Sequence, residues 1–106
     1  MDKFSSMLGL CRRAGKLLIG RDAVIAGLRK GQTDRVFLTS DASPRHAREI
    51  GAVAPGTATH VLPGDMETYA PPLGKKSCVF AAADRHFGDA LFQIYQAMTN
   101  TDTTTE

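Results

Sequence analysis

The sequence predicts an α/β protein in which a four-stranded mixed sheet lies between two layers of helices, as a three-layer α/β/α sandwich. Segments with apolar residues at helical spacing alternate along the chain with short apolar runs of strand length. Glycine or proline separates most of these segments. Alternation of this kind is typical of a central sheet with helices on both faces. A length of 106 residues, of which 42% are hydrophobic, suffices for one domain with its own core.

In the first half of the chain, three helical patterns alternate with two apolar runs. Gly15 and Gly31 each follow a helical pattern, and glycine commonly ends a helix. Ser43 and Pro44 give the opposite signal, because serine caps a helix start and proline suits its first turn. The predicted elements are a helix over 4–14, a strand over 16–19, a helix over 21–30, a strand over 35–39 and a helix over 44–50.

The next segment predicts two strands with a short helix between them. The strands cover residues 60–62, a weak pattern, and residues 77–83, a strong one. Asp65 is placed to cap the helix. We expect this helix to end at Tyr69, because the pair Pro71-Pro72 lacks the N–H groups that a helix needs to continue.

The last helix has the clearest amphipathic pattern of the chain. Asp84 is placed to cap it, and its apolar residues fall on one stripe. These are Phe87, Leu91, Ile94, Tyr95 and Met98. The threonine-rich segment that follows has nothing to bury. The sequence therefore predicts one domain over 1–98 and a disordered tail over 99–106.

The net charge of +2 hides an uneven distribution of charge. Residues 1–50 carry ten lysines or arginines against five acidic residues, whereas residues 51–106 carry three against six. A basic half of this kind indicates a polyanionic partner. A solvated surface with uneven charge is the plainer interpretation, so charge alone leaves both open.

The cysteines and the hydropathy pattern indicate the cellular compartment of the protein. Cys11 and Cys78 lie in apolar patterns and form no disulfide framework. The N-terminus passes directly into an amphipathic pattern instead of an apolar signal segment. No apolar run approaches the roughly 18 residues that a membrane span needs. We therefore expect a cytoplasmic protein.

The histidines and cysteines give little sign of a catalytic or metal site. His46, His60 and His86 are scattered over different predicted elements, and no pair has metal-ligand spacing. Neither cysteine has a Cys-x-x-Cys partner. We expect no enzymatic activity, no metal and no cofactor. A nucleophilic cysteine paired with a histidine stays open, because such partners meet only in space.

Basic residues cluster at three predicted turns. Gly20 precedes a helix whose first N–H groups lack partners, which makes a natural anion site, and Lys16 and Arg21 flank it. Lys75 and Lys76 lie before the last strand, and the first helix ends in two arginines. If the Gly20 turn and the lysine loop share one edge of the sheet, these clusters converge on one surface. The alternative is that neither segment binds a ligand, so that Gly20 only forms a turn and the two lysines lie in a solvated loop.

The opening of the chain carries a family resemblance. Residues 8–24, which read LGLCRRAGKLLIGRDAV, resemble the start of the YlxQ-type bacterial RNA-binding proteins. These belong to the ribosomal protein superfamily that includes kink-turn binders (the L-seven-Ae and L-thirty-e group). The likeness continues through 29–31, 36–38 and 40–43, returns at 73–76 and 79–84, and covers nearly all of residues 4–98.

The resemblance implies binding of a kink-turn, a sharply bent RNA duplex whose opened groove exposes guanine edges. The RNA would be ribosomal or regulatory, with ribosome association in the first case. In kink-turn binders a Gly-x-Asn-Glu-x-x-Lys pattern enters that groove. Gly20 matches its glycine, but Asp22, Ala23 and Ala26 replace the Asn, Glu and Lys. The predicted RNA-binding residues are Arg12, Arg13, Lys16, Gly20, Arg21, Asp22, Lys75 and Lys76.

Two alternatives to RNA binding remain from the sequence. The first is a protein-interaction module. Ala23 and Ala26 favour it, because they leave the expected RNA-binding face without the polar and charged side chains of the motif. The second is a small enzyme that uses Cys11 or Cys78. The pair Pro71-Pro72 also departs from the family pattern, and we expect it to shorten the preceding helix and stiffen the lysine loop.

Overall fold

A computed structural model describes residues 2–99, over which five helices alternate with four strands. In chain order these are α1 (Lys3–Arg13), β1 (Leu17–Ile19), α2 (Arg21–Arg29), β2 (Arg35–Leu38), α3 (Pro44–Val53), β3 (Ala58–Val61), α4 (Met66–Leu73), β4 (Val79–Ala82) and α5 (Arg85–Thr99). Every predicted element is present. Thr99, the first residue of the predicted tail, ends α5, and the rest of that tail lies outside the described residues.

The four strands form one mixed sheet in the order β1-β4-β2-β3. β4 runs antiparallel to both of its neighbours, whereas β2 and β3 are parallel. Consequently β1, β2 and β3 end at the same edge of the sheet at which β4 begins. We call this edge the rim. It comprises the connecting segments 20–22, 39–43, 62–65 and 74–78.

The sheet separates two apolar layers, which confirms the α/β/α sandwich. Side chains alternate along β2: Phe37 packs with α1, α4 and α5, whereas Val36 and Leu38 pack with α2 and α3. The same alternation holds in β4, where Phe80 and Val79 face opposite layers. All four residues of β4 are buried, as expected for a central strand that is covered on both faces.

Most helices begin at a side chain that caps the first turn. Asp2, Asp65 and Asp84 each accept hydrogen bonds from backbone N–H groups two or three residues ahead, at 2.7 to 3.1 Å. Ser43 caps α3 in the same way, and Pro44 follows it as predicted. α2 differs, because its N-cap is Gly20 and no side chain caps it. Its first N–H groups therefore have no acceptor within the helix and no side-chain cap.

The predicted end of α4 is wrong. The helix continues to Leu73 with both prolines of the pair Pro71-Pro72 inside it, and Gly74 caps it through a hydrogen bond to Ala70 O at 2.8 Å. The prolines cannot donate to the carbonyls one turn earlier, which a helix normally tolerates badly. Tertiary packing outweighs that cost, because Tyr69, Pro72 and Leu73 are buried under α1. The pair is therefore part of the helix surface that packs against α1, and it does not shorten α4.

β4 begins at Val79, two residues after its predicted start, and two other boundaries differ as well. α3 passes through Gly51 to Val53, since a glycine weakens a helix by only about 1 kcal/mol. β3 begins at Ala58, where pairing with Arg35 sets its register against β2. None of these changes moves the rim.

Candidate nucleic-acid interface

The turn at Gly20 joins β1 to α2 at the rim. Its φ of 96° and ψ of 159° belong to a region that is essentially restricted to glycine. Its N–H donates to Val79 O at 2.9 Å, which fixes the turn against the first residue of β4. A Cβ at this position would meet no atom within 4 Å. Glycine is therefore required here by the backbone, and the space in front of the helix start is open.

The lysine loop, residues 74–78, lies beside this turn. Its last residue, Cys78, accepts a hydrogen bond from Thr39 N at 3.0 Å, so the loop ends between the termini of β1 and β2. Lys75 precedes Val79 by four residues, and its Cα therefore lies within about 14 Å of the Val79 Cα. The expectation that the Gly20 turn and the lysine loop share one edge of the sheet is confirmed.

Lys16 lies at the opposite edge of the sheet. Its carbonyl accepts from Ala83 N at 2.7 Å, at the end of β4 that is far from the rim. The four-residue step from Lys16 to Gly20 along an extended strand covers about 13 Å. The prediction that Lys16 flanks the start of α2 is therefore wrong. Lys16 and Gly20 lie at opposite ends of the extended strand β1.

Arg12 reaches the lysine loop from α1. Its guanidinium lies so close to Gly74 that a Cβ on this glycine would be 2.5 Å from the arginine Cζ. Gly74 also has a φ of 84°, so its backbone conformation favours glycine, whereas the flexible Arg12 side chain could move aside. The arginine pair at the end of α1 thus extends the basic surface of the lysine loop, with Arg13 beside Arg12 on the surface of α1. Sequence patterns could not show this contact, because its two residues are far apart in the chain.

Two of the cations at the rim are engaged in ion pairs. Arg21 Nε lies 2.7 Å from Glu49 Oε1, and its Nη1 lies 3.0 Å from Asp22 Oδ1. The hydrogen bond from Arg21 lowers the pKa of Glu49. Lys76 Nζ lies 2.7 Å from Glu67 Oε1, and this hydrogen bond raises the pKa of Lys76. Lys76 and Glu67 are both exposed, so a phosphate can replace this carboxylate at little cost, whereas Glu49 is half-buried beside Arg21.

The remaining charged groups of the interface are available to a ligand. Arg12, Arg13 and Lys75 are exposed and form no ion pair with any residue between 2 and 99. Asp22 is 95% exposed despite its contact with Arg21. A carboxylate in this position can accept hydrogen bonds from amino groups but cannot donate one. The interface thus combines exposed cations with exposed carboxylates, since the rim also contains Asp41 and Asp65, which accept hydrogen bonds within the protein.

The described residues hold no arrangement suited to a metal or a cysteine nucleophile. No group of three potential ligands among His, Cys, Asp and Glu comes together between residues 2 and 99. Burial raises the pKa of Cys11 to about 11, and its Sγ lies 3.0 Å from Lys16 O. Cys78 contacts Met66 Sδ at 3.7 Å. No hydrogen bond in this part of the chain joins either thiol to a histidine.

Thiol labelling tests the remaining enzyme hypothesis. In a Cys78→Ser variant the only thiol is Cys11, and we expect it to react with a disulfide reagent only after unfolding, because it is buried and protonated at neutral pH. In a Cys11→Ala variant, the half-buried Cys78 should react slowly in the folded state. Fast reaction of Cys11 in native buffer would reopen the enzyme hypothesis.

One cluster that the sequence did not single out surrounds His60. Its ring lies 4.7 Å from Phe92 and 5.0 Å from Tyr95, and the Arg35 guanidinium covers Phe92 at 4.0 Å. Burial lowers the pKa of His60, and the charge of Arg35 acts in the same direction. The ring is therefore neutral at physiological pH and packs as an aromatic side chain between β3 and α5.

No helix between residues 2 and 99 is both long and apolar enough to cross a membrane. No model of a known protein family matches this chain, and no curated protein matches it. Among solved structures, a protein of unknown function from Bacillus halodurans is similar. It is 26% identical, with a TM-score of 0.81, and the match covers 91% of this chain and 99% of that one. This similarity supports the fold of the chain but gives no information about its function.

Proposed function

We propose that this protein binds structured RNA of the kink-turn type through the rim, acts in the cytoplasm and catalyses no reaction. The observation that carries the proposal is the hydrogen bond from Gly20 N to Val79 O. It holds the uncapped start of α2 directly against the strand that follows the lysine loop. An anion at the helix start and a second one at the loop can therefore be bound by a single ligand.

The start of α2 provides the first contact. Its unpaired N–H groups and the positive end of the helix dipole favour a phosphate oxygen or a carbonyl oxygen of a base. Gly20 lets such a group approach the backbone closely because it has no side chain. Asp22, which is almost fully exposed, is placed to accept hydrogen bonds from guanine amino groups that a bent RNA exposes.

The lysine loop provides the second contact. Lys75 is free of ion pairs among the described residues, and Lys76 becomes free when Glu67 releases it. Lysine suits phosphate contacts, because its ammonium is a mobile point charge. Five carboxylates in or beside the rim limit its positive potential: Asp22, Asp41, Glu49, Asp65 and Glu67. This favours a bent RNA that meets the protein at a few points over the uniform backbone of a regular duplex.

A binding measurement tests the proposal. Fluorescence anisotropy would compare a kink-turn duplex with an unbent duplex of the same composition at several KCl concentrations. We expect affinity for the kink-turn of about micromolar or tighter, which weakens as salt rises because counterions are released on binding. The kink-turn should bind more tightly than the control at each salt concentration. Equal binding of both duplexes throughout would exclude recognition of the bend.

A protein-interaction module of the same fold is the alternative. Ala26 is exposed on α2, where the kink-turn motif would place a lysine, and it offers no hydrogen bond. If this alternative holds, both duplexes bind weakly or not at all, and affinity purification from cells after nuclease treatment recovers a protein partner in stoichiometric amount.

A further inference from the structure

A cleft separates α1 from the C-terminal half of α4, next to the rim but distinct from it. Its cavity volume is about 360 Å³, at the lower end of the range for small-ligand sites, about 300–1,000 Å³. α1 contributes residues of three kinds, hydroxyl, glycine and arginine, and α4 contributes its two prolines. The main lining residues are Ser5, Gly9, Arg12, Arg13, Pro71 and Pro72.

The charge in this cleft is unbalanced. Arg12 and Arg13 line it without an ion pair among residues 2–99, and none of its lining residues is acidic. Both arginines lie in the last turn of α1, where positive charge also stabilises the helix dipole. That role explains why the residues are basic. It does not explain why they line an open cleft.

Gly9 supplies an independent observation. It lies in the middle of α1, where glycine is the weakest helix former after proline. Its φ is not positive, and a Cβ at this position would meet no atom within 4 Å. Neither backbone conformation nor packing within the protein therefore requires glycine here. The missing side chain does keep the cleft between Arg12, Arg13 and the prolines unobstructed.

We propose that this cleft is a phosphate-binding site that takes a nucleotide of an RNA strand as the strand leaves the rim. The inference rests on the proposed RNA-binding function. Arg12 lines the cleft and also contacts Gly74, whose neighbour is Lys75, so the cations continue from the lysine loop into the cleft. Arginine matches phosphate with a planar fork of donors. The two prolines and Gly9 provide an apolar wall and floor for the sugar or base.

The test uses two variants of Gly9. A glutamate at this position lies three and four residues before Arg12 and Arg13, the helical spacing at which it pairs with both. Gly9→Gln has the same size without the charge and serves as the matched variant. Both residues are better helix formers than glycine, so both variants should fold at least as stably as the wild type. Thermal unfolding verifies this.

The binding probes are a short blunt-ended kink-turn duplex and the same duplex with a three-nucleotide single-stranded extension on each end in turn. For the wild type, we expect one extension to raise affinity about tenfold, through two added phosphate contacts. The backbone amide NMR signals of Gly9, Arg12 and Arg13 should shift with that RNA. In Gly9→Glu the gain from the extension is lost, and in Gly9→Gln it is reduced. Because Arg12 also borders the lysine loop, Gly9→Glu should weaken binding of the blunt duplex as well, but by a smaller factor than the gain that it removes from the extended duplex.

Inorganic pyrophosphate is the third probe and separates the cleft from the rim. If no RNA binds at all, the proposed function fails. Shifts at Gly9, Arg12 and Arg13 with pyrophosphate that disappear in Gly9→Glu would then still support the cleft as a site for a free phosphate compound. If neither extension adds affinity, and neither extended RNA nor pyrophosphate shifts these three amides, the cleft proposal is overturned even where the blunt duplex binds.

Discussion

Replacing Lys75 and Lys76 together by alanine is expected to lower the affinity for a kink-turn duplex by on the order of tenfold to a hundredfold at 0.1 M salt. Each lysine that contacts a phosphate contributes about 0.9 to the slope of log K against log salt, so the slope should fall by nearly two. Titrations by anisotropy at four or more KCl concentrations measure both quantities. The two residues lie in an exposed loop, so the fold should be unaffected.

The individual lysines should contribute unequally. Lys76 must leave Glu67 before it can bind RNA, whereas Lys75 has no such partner among the described residues. Lys75→Ala should therefore cost more affinity than Lys76→Ala, and Glu67→Gln should strengthen binding. The matched control is Arg29→Ala with Lys30→Ala, which removes the same charge from the exposed far end of α2. An equal loss in that control would mean that net charge, and not the rim, determines affinity.

Gly20→Ala is expected to reduce affinity for the kink-turn duplex by at least tenfold, with only a moderate loss of stability. A residue with a Cβ at a φ of 96° is strained by about 1–3 kcal/mol. Relief of that strain displaces the first N–H groups of α2 from the ligand, and the new methyl group occupies the open space in front of them. Affinity is measured by anisotropy and stability by urea unfolding.

Gly31→Ala is the matched control for this variant. Gly31 follows the other end of α2, has a φ of 74°, and a Cβ there would also meet nothing within 4 Å. The Gly31→Ala variant should therefore lose a similar amount of its free energy of unfolding, whereas its affinity for RNA should stay the same. If the two variants bind RNA equally well, close approach at the start of α2 plays no part in recognition.

The local signals in the sequence predicted most of the fold. Glycine ended α1 and α2 where expected, and Asp65 and Asp84 capped the helices that follow them. These signals act over three or four residues, so a pattern can reveal them. The pair Pro71-Pro72 did not end α4 as predicted, because a contact between distant parts of the chain decides the outcome there. Its local cost is outweighed by burial against α1, and burial depends on which elements meet in space.

The interface was predicted less completely than the fold. Alternation of helices and strands brought the Gly20 turn and the lysine loop to one edge, as expected. The direction of β1 places Lys16 at the far edge of the sheet, away from the start of α2, which the local pattern did not predict. The contact of Arg12 with Gly74, and the cleft that Gly9 leaves open, arise from the packing of α1 on α4. No periodicity within either helix contains that information.

The position of β4 has a consequence for how the molecule is made. β1 joins the other strands only through β4, which lies near the end of the described chain yet at the centre of the sheet. During synthesis, the two parts of the sheet stay separate until residues 79–82 have emerged and inserted between them. The Gly20 turn acquires its hydrogen-bond partner in that same step. A nascent or truncated chain without β4 thus lacks the assembled rim, and if the proposed function holds, it should not bind RNA.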